Sequence, residues 1–359
     1  MSNKKVFLFF PGQERLGGAE RRIIRSFCKI KKTDKDFDFV VGLLAVGKIN
    51  HNYVRELYSS LGEFDLIIFD KKMQIFNHVR KQKYTCVVYT DCSFRCLPVL
   101  FAATISKKRK YMLCVDTIGS SQNLKPSLRQ ILYNLDIKMS DRIDCLYPSN
   151  TKELKERFKN KTISCTACSF TDMDRFTPLF PKEKTITFLG RLQEGKGIRL
   201  FVDSAIEIAE EIRKKGFVCK IYGSGVQKDE IENIIKETHC EDIIHLCGQI
   251  EDSADVLRVS TIFCSLQKYG NYPSQSLLEA LACGNYCIVT DTADSHLLIN
   301  DNYGALIKQE RVALSKALTQ AMDIPIDRYK QISESSRAFL YNNHSLEKSA
   351  EYYNKLLDS

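Results

Sequence analysis

Several things are missing from this 359-residue chain, and each absence closes off a class of protein. No run of about 18 uncharged apolar residues occurs, so no membrane-spanning helix is expected. The start, MSNKKVFLFFPGQER, holds an apolar run over residues 6–10 only, shorter than the usual core of a secretory leader, and no small-residue cleavage site follows. A first buried strand is the expectation there. One C-x-x-C exists, Cys165 and Cys168, but no second pair or His-x-His partner stands at zinc-finger spacing. No G-x-G-x-x-G follows the first apolar run and no acid ends the second, which disfavours a nicotinamide dehydrogenase. Histidines number only six; His245, inside an apolar run, reads as core, and His239, beside Cys240, as a helix end. The basic charge lacks the aromatic stacking motifs of a nucleic-acid module, so no nucleic-acid partner is expected.

What is present suits two domains of ordinary size, because 44% of the residues are hydrophobic and each half can bury a core. Fourteen cysteines are present, most of them in apolar company (Cys86, Cys114, Cys145, Cys219, Cys264, Cys287), where a free thiol acts as a small hydrophobe. Reduced thiols place the chain in a reducing compartment, the cytoplasm. The formal charge is +9, unevenly spread: residues 1–180 hold 32 Lys and Arg against 18 Asp and Glu, and residues 181–359 hold 21 against 26. A basic first half and a mildly acidic second half fit a domain boundary near residue 180. Clusters such as Arg21, Arg22 and Arg25, Lys29, Lys31 and Lys32, and Lys107 to Lys110 suit a phosphate-bearing acceptor or an anionic leaflet; a solvated face is the plain alternative for any one of them.

Short apolar or β-branched runs alternate with helical patterns throughout. Strands are expected at 6–10, 39–45, 65–69, 86–89, 112–115 and 144–147, then at 185–189, 218–222, 243–246, 262–265, 286–290 and 305–307. Helices are expected at 19–30, 73–83, 127–139, 151–158, 198–214, 228–237, 253–259, 275–283, 310–322 and 345–357. Such alternation is the signature of parallel sheets wrapped by helices, hence two α/β domains. The domains are read as 1–172 and 185–342, with 173–184 as a proline-containing linker (Pro178, Pro181) and 343–359 as a final helix that crosses back to the first domain.

The chemistry should lie beyond the carboxyl ends of the strands. The strongest feature is TITFLGRLQEGKGI, residues 185–198: a buried strand ends at Gly190, a loop carries Arg191, Gly195, Lys196 and Gly197, and a helix begins. Two cations beside a helix N-terminus form an anion site. The segment nearly spells a P-loop, but Gly197 stands where Ser or Thr would hold Mg²⁺, which weighs against an ATPase. The second feature is YPSQSLLEALACG, residues 272–284, where Pro273 and Ser274 start a helix after Tyr272 and Gly284 ends it. Glu279 is its only charge; it either points to water or accepts both hydroxyls of a ribose. Gly17 and Gly18 precede a helix and permit close approach of a ligand, or simply make a turn. Asp91 and Asp116 each follow an expected strand and are candidate acceptor contacts or helix caps. Gly223, Gly225 and Gly248 mark two further strand ends.

Together these segments resemble the retaining GT-B glycosyltransferases of family 4, glycosyl transferases group 1. The match runs over residues 185–307, through the strand-GR-loop-KG start, the Gly223 and Gly225 turn, Gly248, and PSQSLLEALACGNYCIVT. GGAER (Gly17 to Arg21) and the D-x-x-x-F-x-P of Asp172, Phe176 and Pro178 resemble that family's donor loop and interdomain linker. The resemblance implies a GT-B fold, two Rossmann-like domains with parallel sheets facing across a cleft, and transfer of a sugar from a UDP- or GDP-linked donor with retention and without a metal or other cofactor. It implies that Arg191 and Lys196 hold the diphosphate and stabilise charge on the departing nucleotide, that Glu279 holds the ribose, and that Gly248 to Ile250 hold the base. Where many members carry an acceptor-side His this chain has Asp116, and Asp116 and Asp91 enter as catalytic candidates from their places at strand ends. The family's E-x7-E has Asn271 at its first position here, so a catalytically silent nucleotide-binding subunit stays open beside the enzyme, as does a sugar-nucleotide epimerase. The acceptor expected is a saccharide or a lipid-linked saccharide met at the inner face of the membrane, in polysaccharide or lipopolysaccharide synthesis.

Overall fold

The computed structural model describes residues 4–11, 18–45, 50–90, 94–115, 128–165, 169–270 and 272–358. The chain divides into two compact units, residues 1–168 with 346–359, and residues 169–345.

In the first unit, β1 (Lys4–Pro11), β2 (Phe37–Leu44), β3 (Asp65–Phe69), β4 (Cys86–Tyr89), β5 (Arg109–Val115), β6 (Arg142–Cys145) and β7 (Thr162–Cys165) form a parallel sheet in the order 3-2-1-4-5-6-7. Helices α1 (Gly18–Thr33), α2 (His51–Ser59), α3 (Lys72–Lys81), α4 (Leu97–Ile105), α5 (Leu128–Met139) and α6 (Pro148–Arg157) connect the strands. The central strand is apolar on both sides because both sides are covered. Phe7 and Phe9 enter a core shared with α3, α4 and α5, while Val6, Leu8 and Phe10 enter another shared with α1.

The second unit repeats the plan. Strands β8 (Glu183–Leu189), β9 (Val218–Tyr222), β10 (Ile244–Gly248), β11 (Ser260–Ser265), β12 (Tyr286–Thr290) and β13 (Gly304–Ile307) are parallel in the order 10-9-8-11-12-13. Around them lie α7 (Ile198–Glu207), α8 (Ala209–Lys215), α9 (Lys228–Glu237), α10 (Ser253–Leu257), α11 (Gln275–Ala282), α12 (Arg311–Met322) and α13 (Arg328–Asn343). The chain winds outward from β8 through β9 to β10, then returns to β8's other side at β11. That reversal is the topological switch point of a doubly wound sheet, where the loops leave in opposite directions and a crevice opens.

Four departures from the expected elements have physical reasons. Helix α4, LPVLFAATI, is apolar all round and shows no helical period to read. Helix α13, rich in serine and polar residues, hides its period in the same way, although Ser333 and Ser336 are buried. The helix expected at 198–214 is broken at Ile208, with φ −111° and ψ 25°, into α7 and α8. His245 is exposed, not core, because β10 is an edge strand and the ring lies on its outer side, its Nε2 3.3 Å from the Asp242 carbonyl. Strand β7 and helix α2, both short, also escaped the reading.

Residues 173–184, read as linker, are tied into the second unit. Arg337 on α13 donates to the carbonyls of Met173 and Phe176 at 3.0 and 2.9 Å and to Ala282 at the end of α11 at 2.7 Å. Buried Lys182 donates to the carbonyls of Cys283 at 2.6 Å and Arg258 at 3.1 Å. Two cations thus satisfy carbonyls left open where α11 ends.

The last helix, α14 (Leu346–Asp358), belongs to the first unit and packs on α1. Its Tyr353 is fully buried with its ring 5.9 Å from that of Phe27. Ser349 and Ser26 share a hydrogen bond of 2.8 Å, Glu347 pairs with Lys29, Asp358 pairs with Lys4, and the Tyr352 hydroxyl donates to Asp144 at 2.6 Å. Replacing Tyr353 with Ala should therefore cost the first unit about 3–5 kcal/mol, the range for truncating a buried aromatic. Chemical denaturation followed by circular dichroism measures it; a loss under about 1 kcal/mol would show that α14 is a loosely held tail.

Candidate functional site

At the carboxyl ends of β8 and β11, on the two sides of the second sheet's switch point, lies a cleft of about 390 Å³. Its walls carry Gly190, Arg191 and Lys196 from the loop after β8, Gln267 after β11, Ser253 at the start of α10, and Ser274, Gln275, Ser276 and Glu279 from α11 and its lead-in. Side chains 88 positions apart in sequence, Arg191 and Glu279, are brought to one hollow by the sheet order alone.

The loop after β8 is shaped by glycines. Gly197, with φ +81°, is the N-cap of α7, and a Cβ there would stand 2.0 Å from the Leu266 carbonyl oxygen. Only glycine brings the helix start this close to the chain leaving β11. The Lys268 N–H donates to the Gly195 carbonyl at 2.9 Å and fastens the two loops together. On the other side, Gly223 has φ +139°, and a Cβ there would come 1.9 Å from the Gly190 carbonyl oxygen. Gly223 and Gly225 thus set the 223–225 turn tightly under the 190–192 loop, where Leu192 N–H donates to the Ser224 carbonyl at 2.9 Å. They shape the loop and do not line the cleft.

The electrostatics are one-sided. Neither Arg191 nor Lys196 makes an ion pair with a carboxylate among the described residues. The Lys196 ammonium donates to Gln267 Oε1 at 3.0 Å. Partial burial, and after it the charge of Arg191, lowers the Lys196 pKa. Two like charges held near one another without a counter-ion form a standing repulsion that a bound anion relieves. The start of α11 lines the cleft, and the loop that leads into α7 lines it through Lys196; neither helix holds an acid in its first turn or a side-chain cap. Their leading N–H groups add partial positive charge to that of the side chains.

Glu279 is the one acid on these walls. Ser253 Oγ donates to its Oε2 at 2.9 Å, and Gln275 Nε2, one helical turn earlier, donates to its Oε1 at 3.2 Å. A carboxylate accepts about four hydrogen bonds, so each oxygen keeps capacity for a further donor. Burial raises the pKa of Glu279, and the bonds from Ser253 and Gln275 and the nearby Arg175 charge oppose the rise. Arg175 is itself fixed by Asp252 at 2.7 Å, and Asp252 caps α10 through the Ala254 N–H at 2.8 Å. This set (Arg175, Asp252, Ser253, Gln267, Gln275) was not found from sequence. Gln267 and Ser253 follow β11 and β10 directly, so the strand order, once known, would have pointed to them.

The remaining candidates fall elsewhere. Tyr272 and Pro273 are buried in the lead-in to α11, behind the lining. Gly248 closes β10 with φ +72°, open space lies where its Cβ would stand, and Ile250 follows; neither lines the cleft. Gly18 opens α1 in the first unit. Gly17, Asp91, Asp116 and Asn271 lie outside the described residues, as does Cys168 of the C-x-x-C.

Residues 169–339 match the family model of the glycosyl transferases group 1. Among curated proteins, the chain is 24% identical over 217 residues to the GalNAc-alpha-(1->4)-GalNAc-alpha-(1->3)-diNAcBac-PP-undecaprenol alpha-1,4-N-acetyl-D-galactosaminyltransferase of Campylobacter jejuni, covering 58% of each. It is 19% identical over 211 residues to an uncharacterized glycosyltransferase of Methanocaldococcus jannaschii, covering 58% of this chain and 47% of that one. The match thus spans about half the length of these relatives. Among solved structures, a glycosyltransferase from Rickettsia africae has a TM-score of 0.77 at 16% identity, covering 99% of this chain and 98% of that one. Anabaena HepE in complex with UDP has a TM-score of 0.75 at 12% identity over 99% of each chain.

The raised pKa of Glu279 has a consequence for stability. The fold holds the Glu279 proton more tightly than the unfolded chain does. Its contribution is therefore most favourable below the ordinary glutamate value and is lost as pH rises through the raised one. Glu279→Gln keeps an oxygen for Gln275 and lets the Ser253 hydroxyl turn to accept. At neutral pH its melting temperature should equal or exceed that of the parent, the gap closing as pH falls below about 4. Differential scanning calorimetry across pH decides; a variant less stable at neutral pH would mean that the charge is held for the fold and not for a ligand.

Proposed function

We propose, on the match of residues 169–339 to the glycosyl transferases group 1, that the chain moves a sugar from a nucleoside diphosphate donor onto a saccharide or lipid-linked saccharide, with retention of anomeric configuration. It is a glycosyltransferase built of two Rossmann-like domains, the GT-B fold class. The observation that carries the reading is the cleft at the second switch point, where two cations without counter-ions and two uncapped helix starts stand beside one oriented carboxylate. A diphosphate needs the first set and a ribose diol the second.

In the proposed reaction the bond between the donor's anomeric carbon and the diphosphate oxygen breaks, and negative charge grows on the departing nucleotide. Arg191, Lys196 and the N–H groups at the starts of α7 and α11 stabilise that charge, where preorganised donors act most strongly. The acceptor hydroxyl bonds to the anomeric carbon, and its proton leaves with the diphosphate. Glu279 fixes the ribose and so the position of the reacting phosphorus-oxygen bond. Gly248 to Ile250 would meet the base, and Gly17, Gly18, Asn271, Asp91 and Asp116 the sugar and acceptor. UDP is the first donor nucleotide to try, since HepE, of like fold, is described in complex with it. The acceptor we favour is a polyprenol-linked saccharide met at an anionic membrane face, in cell-surface polysaccharide synthesis; the acceptor named for the Campylobacter relative supports this reading.

Arg191→Ala and Lys196→Ala should each lower kcat by about 10²–10³-fold, the loss seen when one preorganised donor to a developing oxyanion is removed. Steady-state release of UDP or GDP from a donor panel, paired with calorimetric nucleotide binding, measures both effects. Turnover untouched by either substitution would end the assignment. Tight nucleotide binding with no turnover on any donor would instead favour the silent subunit that Asn271 leaves open.

A further inference from the structure

On the first unit, far in sequence from the donor cleft, α3 and α4 enclose an open groove of about 500 Å³ that the donor chemistry does not use. Its walls are Met73, Phe76, Phe94, Leu97, Phe101 and Ile105. These side chains are large, apolar and turned outward: Met73 is 65% exposed, Ile105 60%, Phe94 49% and Phe101 47%. Phe101 and Ile105 stand one turn apart on α4, on the face opposite the buried Val99, Ala102 and Ala103. A contiguous apolar surface of this kind on a soluble domain marks an interaction site.

The charge around the groove says which kind. Residues 71–110, which contain both helices, hold ten Lys and Arg and a single acid, Asp91, a balance equal to the +9 of the whole chain. Lys71, Lys72, Arg80, Lys81 and Lys107 are exposed and make no ion pair among the described residues, whereas Lys110 is held by Asp141 at 3.1 Å. Lys71 and Lys72 open α3, Arg80 and Lys81 close it, and Lys107 follows the end of α4, so the cations bracket the apolar side chains. A second copy docked through the same face would set these five cations against five. An interfacial element needs apolar side chains that enter the boundary of the acyl chains and cations that meet anionic headgroups, and both stand here on one surface.

We propose that the α3–α4 face is a docking surface for an anionic lipid bilayer. Phe101, Ile105, Phe94 and Met73 enter the headgroup boundary, and the bracketing lysines hold the surface by charge. The assignment rests on the reading that the chain works at a membrane, but it names a face separate from the donor cleft and is tested apart from transfer.

The test is flotation of the full chain with phosphatidylcholine vesicles, with and without phosphatidylglycerol, at low and high salt. The wild type should bind the anionic vesicles and not the neutral ones. Binding should fall about fivefold for each charge removed in Lys71→Gln and Lys72→Gln. It should be lost in the Phe101→Ser, Ile105→Ser double variant, whose exposed positions leave the fold intact by circular dichroism. Equal binding to both vesicle types, or undiminished binding by the serine variant, overturns the proposal. So does a dimer in sedimentation velocity that the serine variant abolishes, since that gives the face to a second copy. The Arg191→Ala variant should bind vesicles as the wild type does, so vesicle binding without any transfer by the wild type would sink the proposed enzyme activity and leave this surface standing.

Discussion

The reversal of strand order between β8 and β11 is the constraint on which the site depends. A sheet that grows outward from β8 on one side and then on the other must send its loops apart at that seam, and the hollow there costs no broken hydrogen bond. Into it come the two elements best able to meet an anion, the start of α7 and the start of α11. Their convergence requires close backbone approach. Gly197 lets α7 begin against the Leu266 carbonyl, and the Gly223 turn presses the 190–192 loop from below. Side-chain chemistry alone would not give the arrangement: the same Arg and Lys on a loop held a few ångströms further out would be solvated surface charges worth little.

Beside that hollow, several polar side chains of the second unit hold the end of α11 in place. Lys182 and Arg337 cover carbonyls at its end, Ser336 Oγ donates to the Leu281 carbonyl at 2.7 Å, and Asn285 Nδ2 donates to the Ser260 carbonyl at 2.6 Å. Burial lowers the Lys182 pKa to about 8, a cost that a solvent-exposed lysine would not bear. A buried cation is retained where its hydrogen bonds fix something, and here they fix the helix that carries Glu279. The Arg175, Asp252 and Ser253 set does the same from the opposite side, through α10. Glu279 is thus located from both ends.

Much of the fold was legible because parallel sheets write themselves as bare apolar runs. FLFF, VVGLL, ITFL and IFCS are buried on both faces and admit few other readings. Of the helices that escaped, α4 and α13 have no clear period, the first uniformly apolar and the second rich in buried serine, while α2 is only nine residues long. The cleft was legible for its cations and its acid, since Arg191, Lys196 and Glu279 stand on segments whose glycines and caps announce strand-to-helix turns. Its supporting shell was not. Ser253, Gln267 and Arg175 carry no local signature, and they are brought near Glu279 and Lys196 only by a crossover that the order of strands along the chain does not reveal. The exposed groove of α3 and α4 escaped for a related reason: an all-apolar helix reads as core until its neighbours are known to cover only one side.

Charge is distributed against the simplest expectation. The half that holds the anion cleft is the acidic half, with 21 Lys and Arg against 26 Asp and Glu, and the basic half holds the apolar groove. The paradox resolves by distance. At physiological ionic strength, charges more than about 8 Å apart across solvent are largely screened, so the field in the cleft is set by Arg191, Lys196 and the start of α11 and not by the net sum. Ten acids of the second unit are taken up in pairs such as Arg213 with Asp242, Arg199 with Asp203 and Lys215 with Asp323, and none of these pairs lies on the cleft's walls. The surplus of the first unit is the reverse case. Its cations bracketing α3 and α4 make no ion pair among the described residues and are spread along both helices, so a small ligand meets only one or two of them, whereas an extended anionic surface meets all of them at once.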